Sequence, residues 1–264
     1  MKMQLPLKQR LKLLRQSFYA RLNFRGHLAV SINEDGDAFL VSVDGQNISV
    51  PSPLRWKLYK YGWEKRLDRL EKEYGIGRHV KLKPNAVVLD IGSNAGEFAF
   101  VCARYGAAVH CFEPDPTVFS CLKRNVSSLK NVSVHDIALW KEDGLISFGL
   151  APERADSSVF HQGAKKIQKP AVSIETFCRQ NNIEKIDFIK CDAEGAEPEI
   201  LEGIGSMFPY IDALALDTGA ERNGMRTHEA CAALLKANNF TVIEEKIGTR
   251  WMTYGVKKTL DGNI

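Results

Sequence analysis

Short apolar segments alternate with amphipathic segments from residue 83 to the end of the chain, and this alternation restricts the fold more than any other feature. The pattern predicts strands at 86–91, 107–113, 131–137, 185–191, 210–217, 240–246 and 250–256. It predicts helices at 95–105, 115–127, 174–182, 195–206 and 227–238. Such alternation favours an α/β fold in which helices cover both faces of a mostly parallel sheet.

One further strand and one long connection lie between the third and fourth of these strands. LISFGL at 145–150 predicts a short strand that adds to an edge of the sheet. The connection from about 151 to 170 is polar and contains Ser157, Ser158 and His161. Connections of this length often cover a functional site. We therefore expect either a lid that turns these three side chains toward the site or a solvated loop.

Residues 1–80 precede the alternating pattern, and we predict that they form an N-terminal extension to a main domain at 81–264. HLAVSI at 27–32 and FLVSV at 39–43 flank the turn residues NEDGD, which predicts a β-hairpin. The following NISV allows a small meander. Residues 54–74 have a helical pattern.

The first part of the extension is strongly basic. Seven Lys and Arg residues lie between Met1 and His27, and the first acidic residue is Glu34. Interleaved leucines predict a basic amphipathic helix, which either packs on the main domain or makes a weak contact with an anionic membrane surface. The net charge of +4 is too small to indicate nucleic-acid binding.

The cysteine pattern indicates in which cellular compartment the protein resides. None of the six cysteines forms a C-x-x-C pair, and most lie in apolar helix or strand patterns, so neither a disulfide framework nor structural zinc is indicated. We expect a cytoplasmic protein, with peripheral contact at the inner membrane surface kept open. The oligomeric state is not predicted.

A glycine-rich break follows the first strand of the main domain. Asp90 ends the strand, and Gly92, Ser93, Asn94 and Gly96 lead into a helix whose free N–H groups point to the ligand cleft. No Lys-Ser or Lys-Thr follows the last glycine, which excludes a P-loop. Asn94 replaces the second glycine of a dinucleotide motif and obstructs a pyrophosphate. S-adenosylmethionine, which has no phosphates, is the ligand that this loop favours.

Carboxylates at the ends of the strands support this ligand. Asp90 suits the methionine ammonium, directly or through water. Glu113, seventeen residues after Gly96, can accept hydrogen bonds from both ribose hydroxyls, although an enzyme that binds NAD would also place an acid there. Asp136 ends the third strand beside Ile137 and can accept from the adenine amino group.

Four motifs resemble the FkbM-type family of S-adenosylmethionine-dependent methyltransferases. They are LDIGSNAGEF, CFEPDP, HDIAL and IDFIKCDAEGAEPEILEG at 186–203, and the resemblance runs from about residue 87 to 240. It implies a Rossmann-like, seven-stranded class I methyltransferase sheet with an antiparallel last strand, built by residues 81–264. It also implies O-methylation, commonly of sugars or other hydroxyl-bearing metabolites.

The same resemblance directs attention to the acceptor side of the cleft. Lys190, Asp192 and Glu194 lie where the fourth strand becomes a helix, and Asp217 ends the fifth strand. Asp192 also belongs to the predicted cofactor site. We expect Asp192 to act as the general base, with Glu194 next. Lys190 either takes part in catalysis or pairs with these acids.

A divalent metal and two other functions stay open. A carboxylate is a weak base for an alcohol, and a metal lowers the pKa of a bound hydroxyl. Asp192, Asp217, Glu221 and His161 would then be the ligands, although no close His/Asp spacing requires a metal. The alternative functions are a nucleic-acid methyltransferase of the same fold and a non-catalytic scaffold that binds the cofactor.

Overall fold

A computed structural model describes residues 7–22, 24–151, 157–160 and 165–258. The strands are β1 (Val30–Asp35), β2 (Ala38–Val43), β3 (Gln46–Val50), β4 (Val87–Ile91), β5 (Ala108–Phe112), β6 (Val132–His135), β7 (Ala138–Leu139), β8 (Gly144–Leu150), β9 (Lys165–Val172), β10 (Ile186–Cys191), β11 (Ile211–Asp217), β12 (Phe240–Ile247) and β13 (Arg250–Lys257). The α-helices are α1 (Leu7–Arg21), α2 (Trp63–Glu73), α3 (Glu97–Arg104), α4 (Pro116–Asn125), α5 (Ile174–Gln180), α6 (Glu197–Glu202) and α7 (His228–Ala237). Short 3-10 helices lie at Phe24–Gly26, Pro53–Tyr59, Val126–Ser128 and Gly205–Tyr210.

The central sheet has seven strands in the order β12-β13-β11-β10-β4-β5-β6. The five strands β11, β10, β4, β5 and β6 pair in parallel, each with its neighbour in this order. β13 is antiparallel to both β11 and β12. All seven predicted strands form, and the predicted Rossmann-like sheet with its last strand reversed is confirmed. The carboxyl ends of β4, β5, β10 and β11 therefore meet along one edge, where a ligand cleft is expected.

The sheet is buried because its strands are apolar on both faces. Val88 and Phe188 pack into one apolar cluster, and their neighbours Leu89 and Ile189 pack into another. Alternate side chains of a strand point to opposite faces, so these two clusters lie on the two sides of the sheet. This double burial fixes the strand ends that carry the acidic residues.

The N-terminal extension is attached to one face of the sheet. β1, β2 and β3 form an antiparallel meander, and Val41, Tyr59 and Tyr74 belong to the same apolar cluster as Phe98 and Tyr254. The domain boundary at residue 80 stays a prediction. Among the described residues, none of the helices combines the length and apolar character needed to cross a lipid bilayer.

The single helix predicted over 54–74 is wrong. The segment forms a 3-10 helix at Pro53–Tyr59 and then α2, separated at Gly62. Gly62 has a φ of 103°, and an added Cβ would lie 2.8 Å from both Asp44 Oδ2 and Leu28 Cδ1. The close approach of these two side chains, together with the positive φ, breaks the helix there.

The predicted edge position of 145–150 is also wrong. These residues form β8, which pairs antiparallel with β9 in a second sheet of order β7-β9-β8. β9 lies in the segment that we predicted to be a polar connection. Its lysines hide the strand pattern, because Lys169 is buried and pairs with Asp136.

Candidate active site

The loop between β4 and α3 forms the first wall of the cleft. Gly92 has a φ of 68°, and an added Cβ would overlap the carbonyl oxygen of Asp192. Asn94 has a φ of 53°, and its side chain accepts a hydrogen bond from Ala95 N at 2.8 Å. Ser93 donates to the carbonyl of Asp90 at 2.6 Å. The loop is therefore closed by local bonds and brings its backbone against the loop that follows β10.

Glu113 lies buried at the end of β5. One carboxylate oxygen accepts from Asn94 N and the other from Asp115 N, both at 3.0 Å. Burial raises the pKa of the Glu113 carboxyl to about 7, although these two backbone N–H groups lower it. The bonds hold the carboxylate in one orientation at the predicted ribose position.

Asp90 and Lys190 form a buried ion pair beneath the loop. Lys190 Nζ lies 2.9 Å from Asp90 Oδ1 and donates to the carbonyls of Ile91 at 3.1 Å and Gly92 at 2.5 Å. Burial opposes the charge of Lys190, but Asp90 raises its pKa above the ordinary value. The ammonium that contacts Asp90 is thus that of Lys190, which stays protonated.

Asp136 and Ile137 take different positions. Ile137 lines the cleft, as predicted for a cofactor residue. Asp136 does not line the cleft, because its carboxylate pairs with the buried Lys169. The contact of Asp136 with an adenine amino group stays a prediction.

The turn between β10 and α6 forms the opposite wall. Glu194 lines the cleft with a φ of 53°, an uncommon conformation outside glycine. Glu197 is fully buried and accepts from the backbone N–H groups of Ala193 and Gly195, both at 3.1 Å. Burial raises the pKa of Glu197 to about 7. Glu197 therefore supports the turn that presents Glu194.

Asp192 and Asp217 are joined by an arginine from the last strand. Arg250 Nη1 donates to Asp192 Oδ2 at 2.6 Å and to Asp217 Oδ2 at 2.7 Å. Tyr74, at the end of α2, donates to the same oxygen of Asp192 at 2.9 Å. The described residues donate no hydrogen bond to Asp192 Oδ1, and Asp192 lines the cleft.

These contacts separate the pKa values of the two aspartates. Burial would raise the pKa of Asp192, but Arg250 and Lys190 lower it well below the ordinary value. Burial and the charge of Asp192 raise the pKa of Asp217 to about 6, against the effect of Arg250. Asp192 is therefore ionised at neutral pH, and it is a weak base.

Three of the four candidate metal ligands come together. Carboxylate oxygens of Asp192, Asp217 and Glu221 lie within 4.8 Å of one another. Burial and the neighbouring carboxylates raise the pKa of Glu221 to about 10, so it is protonated at neutral pH. Arg250 already bridges the two aspartates. His161, the fourth candidate, lies outside the described residues.

The serine pair bridges two loops at the edge of the cleft. Ser157 lines the cleft and donates to Asp115 Oδ2 at 2.6 Å. Ser158 is buried and donates to the carbonyl of Glu194 at 2.9 Å. Ser157 therefore faces the cleft and Ser158 anchors the segment on Glu194, whereas the role of a lid stays a prediction.

The segment that carries the cleft loops is similar to a known family. A family model described as a methyltransferase FkbM domain matches residues 90–213. That match covers Gly92, Glu113 and Asp192. Over this segment the chain is similar to the methyltransferases of the FkbM family. The resemblance inferred from the motifs is thereby confirmed.

Three relatives illustrate what the chain is similar to. The 2-O-methyltransferase NoeI of Sinorhizobium fredii is 30% identical over 46% of this chain and 58% of its own length. The 31-O-demethyl-FK506 methyltransferase FkbM of Streptomyces tacrolimicus is 24% identical over 64% and 78%, respectively. The hexuronic acid methyltransferase AglP of Haloferax volcanii is 28% identical over 51% and 56%. The chain thus spans little more than half the length of NoeI and AglP.

The cleft is also lined by residues outside the matched segment. Its cavity has a volume of about 320 Å³, and Arg66 and Tyr74 of the extension line it. Arg66 Nη2 donates to Glu97 at 3.4 Å, and Tyr59 donates to the same oxygen at 2.9 Å. The extension therefore closes the cleft above the first turn of α3.

Sequence reasoning missed Tyr74 and Arg250. Tyr74 ends a helix whose pattern indicated packing, and Arg250 begins a strand chosen for its apolar residues. Neither residue belongs to a motif. A charged residue at the start of the strand beside β11 was the only available signal, and it becomes informative once β13 is paired with β11.

Proposed function

We propose that the chain is an S-adenosylmethionine-dependent O-methyltransferase that acts on a hydroxyl of a saccharide or a glycosylated metabolite. One observation carries the proposal: the cleft that holds the loop at Gly92 and the buried Glu113 is also lined by Asp192. A ribose-binding acid and a carboxylate able to receive a hydroxyl proton therefore face one space. The family match supports the methyltransferase class.

The residues on the cofactor side fit S-adenosylmethionine. Glu113 presents a carboxylate fixed by two backbone N–H groups, which suits hydrogen bonds from ribose hydroxyls. Ile137 and Leu139 supply apolar surface for an adenine ring. When bound, the cofactor supplies a methyl group on a sulfonium, which is a good leaving group.

Asp192 is the proposed proton acceptor. Its Oδ2 is held by Tyr74 and Arg250, which leaves Oδ1 for the acceptor hydroxyl. Once the methyl group is attached, the acceptor oxygen is positively charged and its remaining proton is strongly acidic. Asp192 can therefore accept this proton late in the reaction despite its lowered pKa. Glu194, on the same wall, is the second candidate. Lys190 is proposed to hold Asp90 and the loop carbonyls rather than to move a proton.

The acceptor class follows from relatives and is a proposal. NoeI is a 2-O-methyltransferase and AglP is a hexuronic acid methyltransferase. Arginines of the extension also line the cleft, but Arg66 is paired with Glu97 and Arg69 with Glu73, so the acceptor class rests on the relatives. We also place the protein in the cytoplasm, since all six cysteines are free and buried.

Transfer of a labelled methyl group tests the proposal. Purified protein is incubated with S-adenosylmethionine and a panel of hexoses, hexuronic acids and their glycosides. We expect methyl ethers with at least one of these acceptors, and a loss of about 10²-fold or more in kcat for Asp192→Asn. Asp187→Asn, near the start of β10 and outside the cleft lining, is the matched control. Methylation of an oligonucleotide but no saccharide would reject the acceptor class, and cofactor binding without transfer to any acceptor would favour the scaffold.

A further inference from the structure

The outer face of α1 carries a stripe of exposed apolar side chains. Its residues follow one another at intervals of four, three, four and four positions, which places them on one side of a helix. They are Leu7, Leu11, Leu14, Phe18 and Leu22, which continues the helix by one residue, and they are 58% to 74% exposed. Five of the eleven large exposed apolar residues in the described part of the chain therefore lie in this stripe.

The opposite face of α1 is fixed to the body of the protein. Gln16 is buried, and its side chain donates to the carbonyls of Leu28 at 2.8 Å and Lys60 at 2.7 Å. Its oxygen lies 2.7 Å from His27 Nδ1. The apolar stripe therefore points away from the protein because the helix is bonded through its other side.

Basic side chains border the stripe on both sides. Lys8, Arg10, Lys12, Arg15 and Arg21 are exposed on α1. Lys12 and Arg15 also line a cavity of about 320 Å³ together with Lys57 and Lys60. None of the described residues that line this cavity is acidic. The cavity lies beside the stripe and suits a phosphate group.

We propose that α1 binds the surface of an anionic membrane, with the apolar stripe inserted in the interface and the basic cavity against lipid phosphates. An apolar stripe bordered by cations is the pattern of a helix that lies in the plane of a membrane. Each cation near an anionic leaflet adds attraction. The surface is independent of the methyl-transfer cleft, so this inference does not rest on the proposed function.

The charge pattern of α1 disfavours a second copy of the chain and a nucleic acid as the partner of the stripe. Two copies of the chain meeting through the stripe would bring the basic borders of both copies together, with no acid on α1 to offset them. A nucleic acid would pair with the cations but leave five apolar side chains in water. An anionic lipid surface is the occupant that satisfies both features.

Vesicle co-sedimentation with the full chain tests the proposal. We expect binding to phosphatidylcholine vesicles that contain about 30% phosphatidylglycerol and weak binding to phosphatidylcholine alone. Raising the salt concentration from about 0.1 M to about 0.5 M should weaken binding by about tenfold. Equal binding to both vesicles, or no binding to either, would overturn the proposal.

Two sets of variants separate the stripe from the cations. The apolar set is Leu11→Gln, Leu14→Gln and Phe18→Gln, and its control is Leu145→Gln, Tyr210→Gln and Met225→Gln, three exposed apolar residues elsewhere. The charge set is Lys12→Gln, Arg15→Gln and Lys57→Gln, and its control is Lys123→Gln, Lys130→Gln and Lys236→Gln. We expect each test set to weaken vesicle binding by about tenfold or more and each control set to change it less than about threefold.

Folding and self-association are measured on the same samples. Unfolding in urea should be unchanged by the apolar set, because all three side chains are exposed. Light scattering should give the same mass for the wild type and this set. A dimer that dissociates in the apolar set, without vesicle binding by the wild type, would overturn the proposal in favour of self-association. Equal loss of vesicle binding in the control sets would also overturn it.

Discussion

Arg250 lies 2.6 Å from Asp192, although the two residues are 58 positions apart in the chain. The contact forms because β13 pairs with β11, whose neighbour β10 ends at Cys191, directly before Asp192. It holds one oxygen of Asp192 and leaves the other facing the cleft. The last strand of the sheet thus contributes a side chain to the acceptor side of the proposed active site.

Arg250→Gln should damage both stability and catalysis. It leaves Asp192 and Asp217 close together without their shared cation, so the free energy of unfolding should fall by roughly 1–3 kcal/mol. The pKa of Asp192 should rise, and kcat of the proposed transfer should fall by about 10²-fold because the carboxylate loses its orientation. Urea unfolding and the pH profile of kcat measure these effects.

Arg104→Gln is the control for Arg250→Gln. Arg104 pairs with Glu64 and Asp68, whose side chains are largely exposed, so its loss should cost less than about 1 kcal/mol per pair. An Arg250→Gln protein with the stability and kcat of the Arg104→Gln protein would contradict the role of Arg250.

Binding of S-adenosylhomocysteine should tighten as the pH rises through 7. The pKa of Glu113 is raised to about 7, so the carboxyl is increasingly protonated below that pH, whereas hydrogen bonds from ribose hydroxyls favour the ionised form. The affinity should rise between pH 6 and 8 by up to about tenfold and then level off. Glu113→Gln should bind weakly with no such dependence. A dependence that persists in Glu113→Gln would assign the titration to another group, of which Glu197 is the first candidate.

Gly92→Ala should distort the cleft. The residue has a positive φ, and the added Cβ would overlap the carbonyl oxygen of Asp192, so the substitution should cost roughly 2–5 kcal/mol of unfolding free energy and abolish cofactor binding. Gly77→Ala is the matched control, because Gly77 has a φ of 78° with nothing within 4 Å of the added Cβ. It should cost only about 1–2 kcal/mol and leave binding intact. Equal losses in both variants would mean that the close approach at Gly92 is unimportant.

Removal of divalent cations should leave methyl transfer unchanged. Arg250 already supplies positive charge between Asp192 and Asp217, and Glu221 is protonated at neutral pH because its pKa is raised to about 10. A protonated carboxyl is a poor metal ligand. Assays with EDTA, and with added Mg²⁺ or Mn²⁺, provide the measurement. Activity lost in EDTA and restored by one of these ions would instead support a metal held by the three carboxylates.

Local sequence patterns predicted that Gly92, Asn94 and Glu113 line one cleft, because these residues lie close together in the sequence. Gly92 and Asn94 follow a strand directly, and Glu113 ends the next strand, so strand–helix–strand geometry fixes their positions. The ion pair of Asp90 and Lys190 could be predicted only once the order of the strands in the sheet was known. The two residues lie side by side in register on β4 and β10, which are far apart in the sequence.

The acceptor side was harder to predict because it is assembled from distant segments. Tyr74 comes from the extension and Arg250 from the last strand, and neither belongs to a recognisable motif. β9 was missed for a different reason. A lysine is usually exposed, whereas Lys169 is buried because its charge is paired with Asp136.

Calorimetric titration with S-adenosylhomocysteine tests whether the loop at Gly92 and the acid at Glu113 bind a methyl donor. We expect binding in the micromolar range by the wild type, at least about tenfold weaker binding by Glu113→Ala, and no heat with NAD. Wild-type protein that binds NAD, or that binds no S-adenosylhomocysteine, would show that this cleft is not a methyl-donor site.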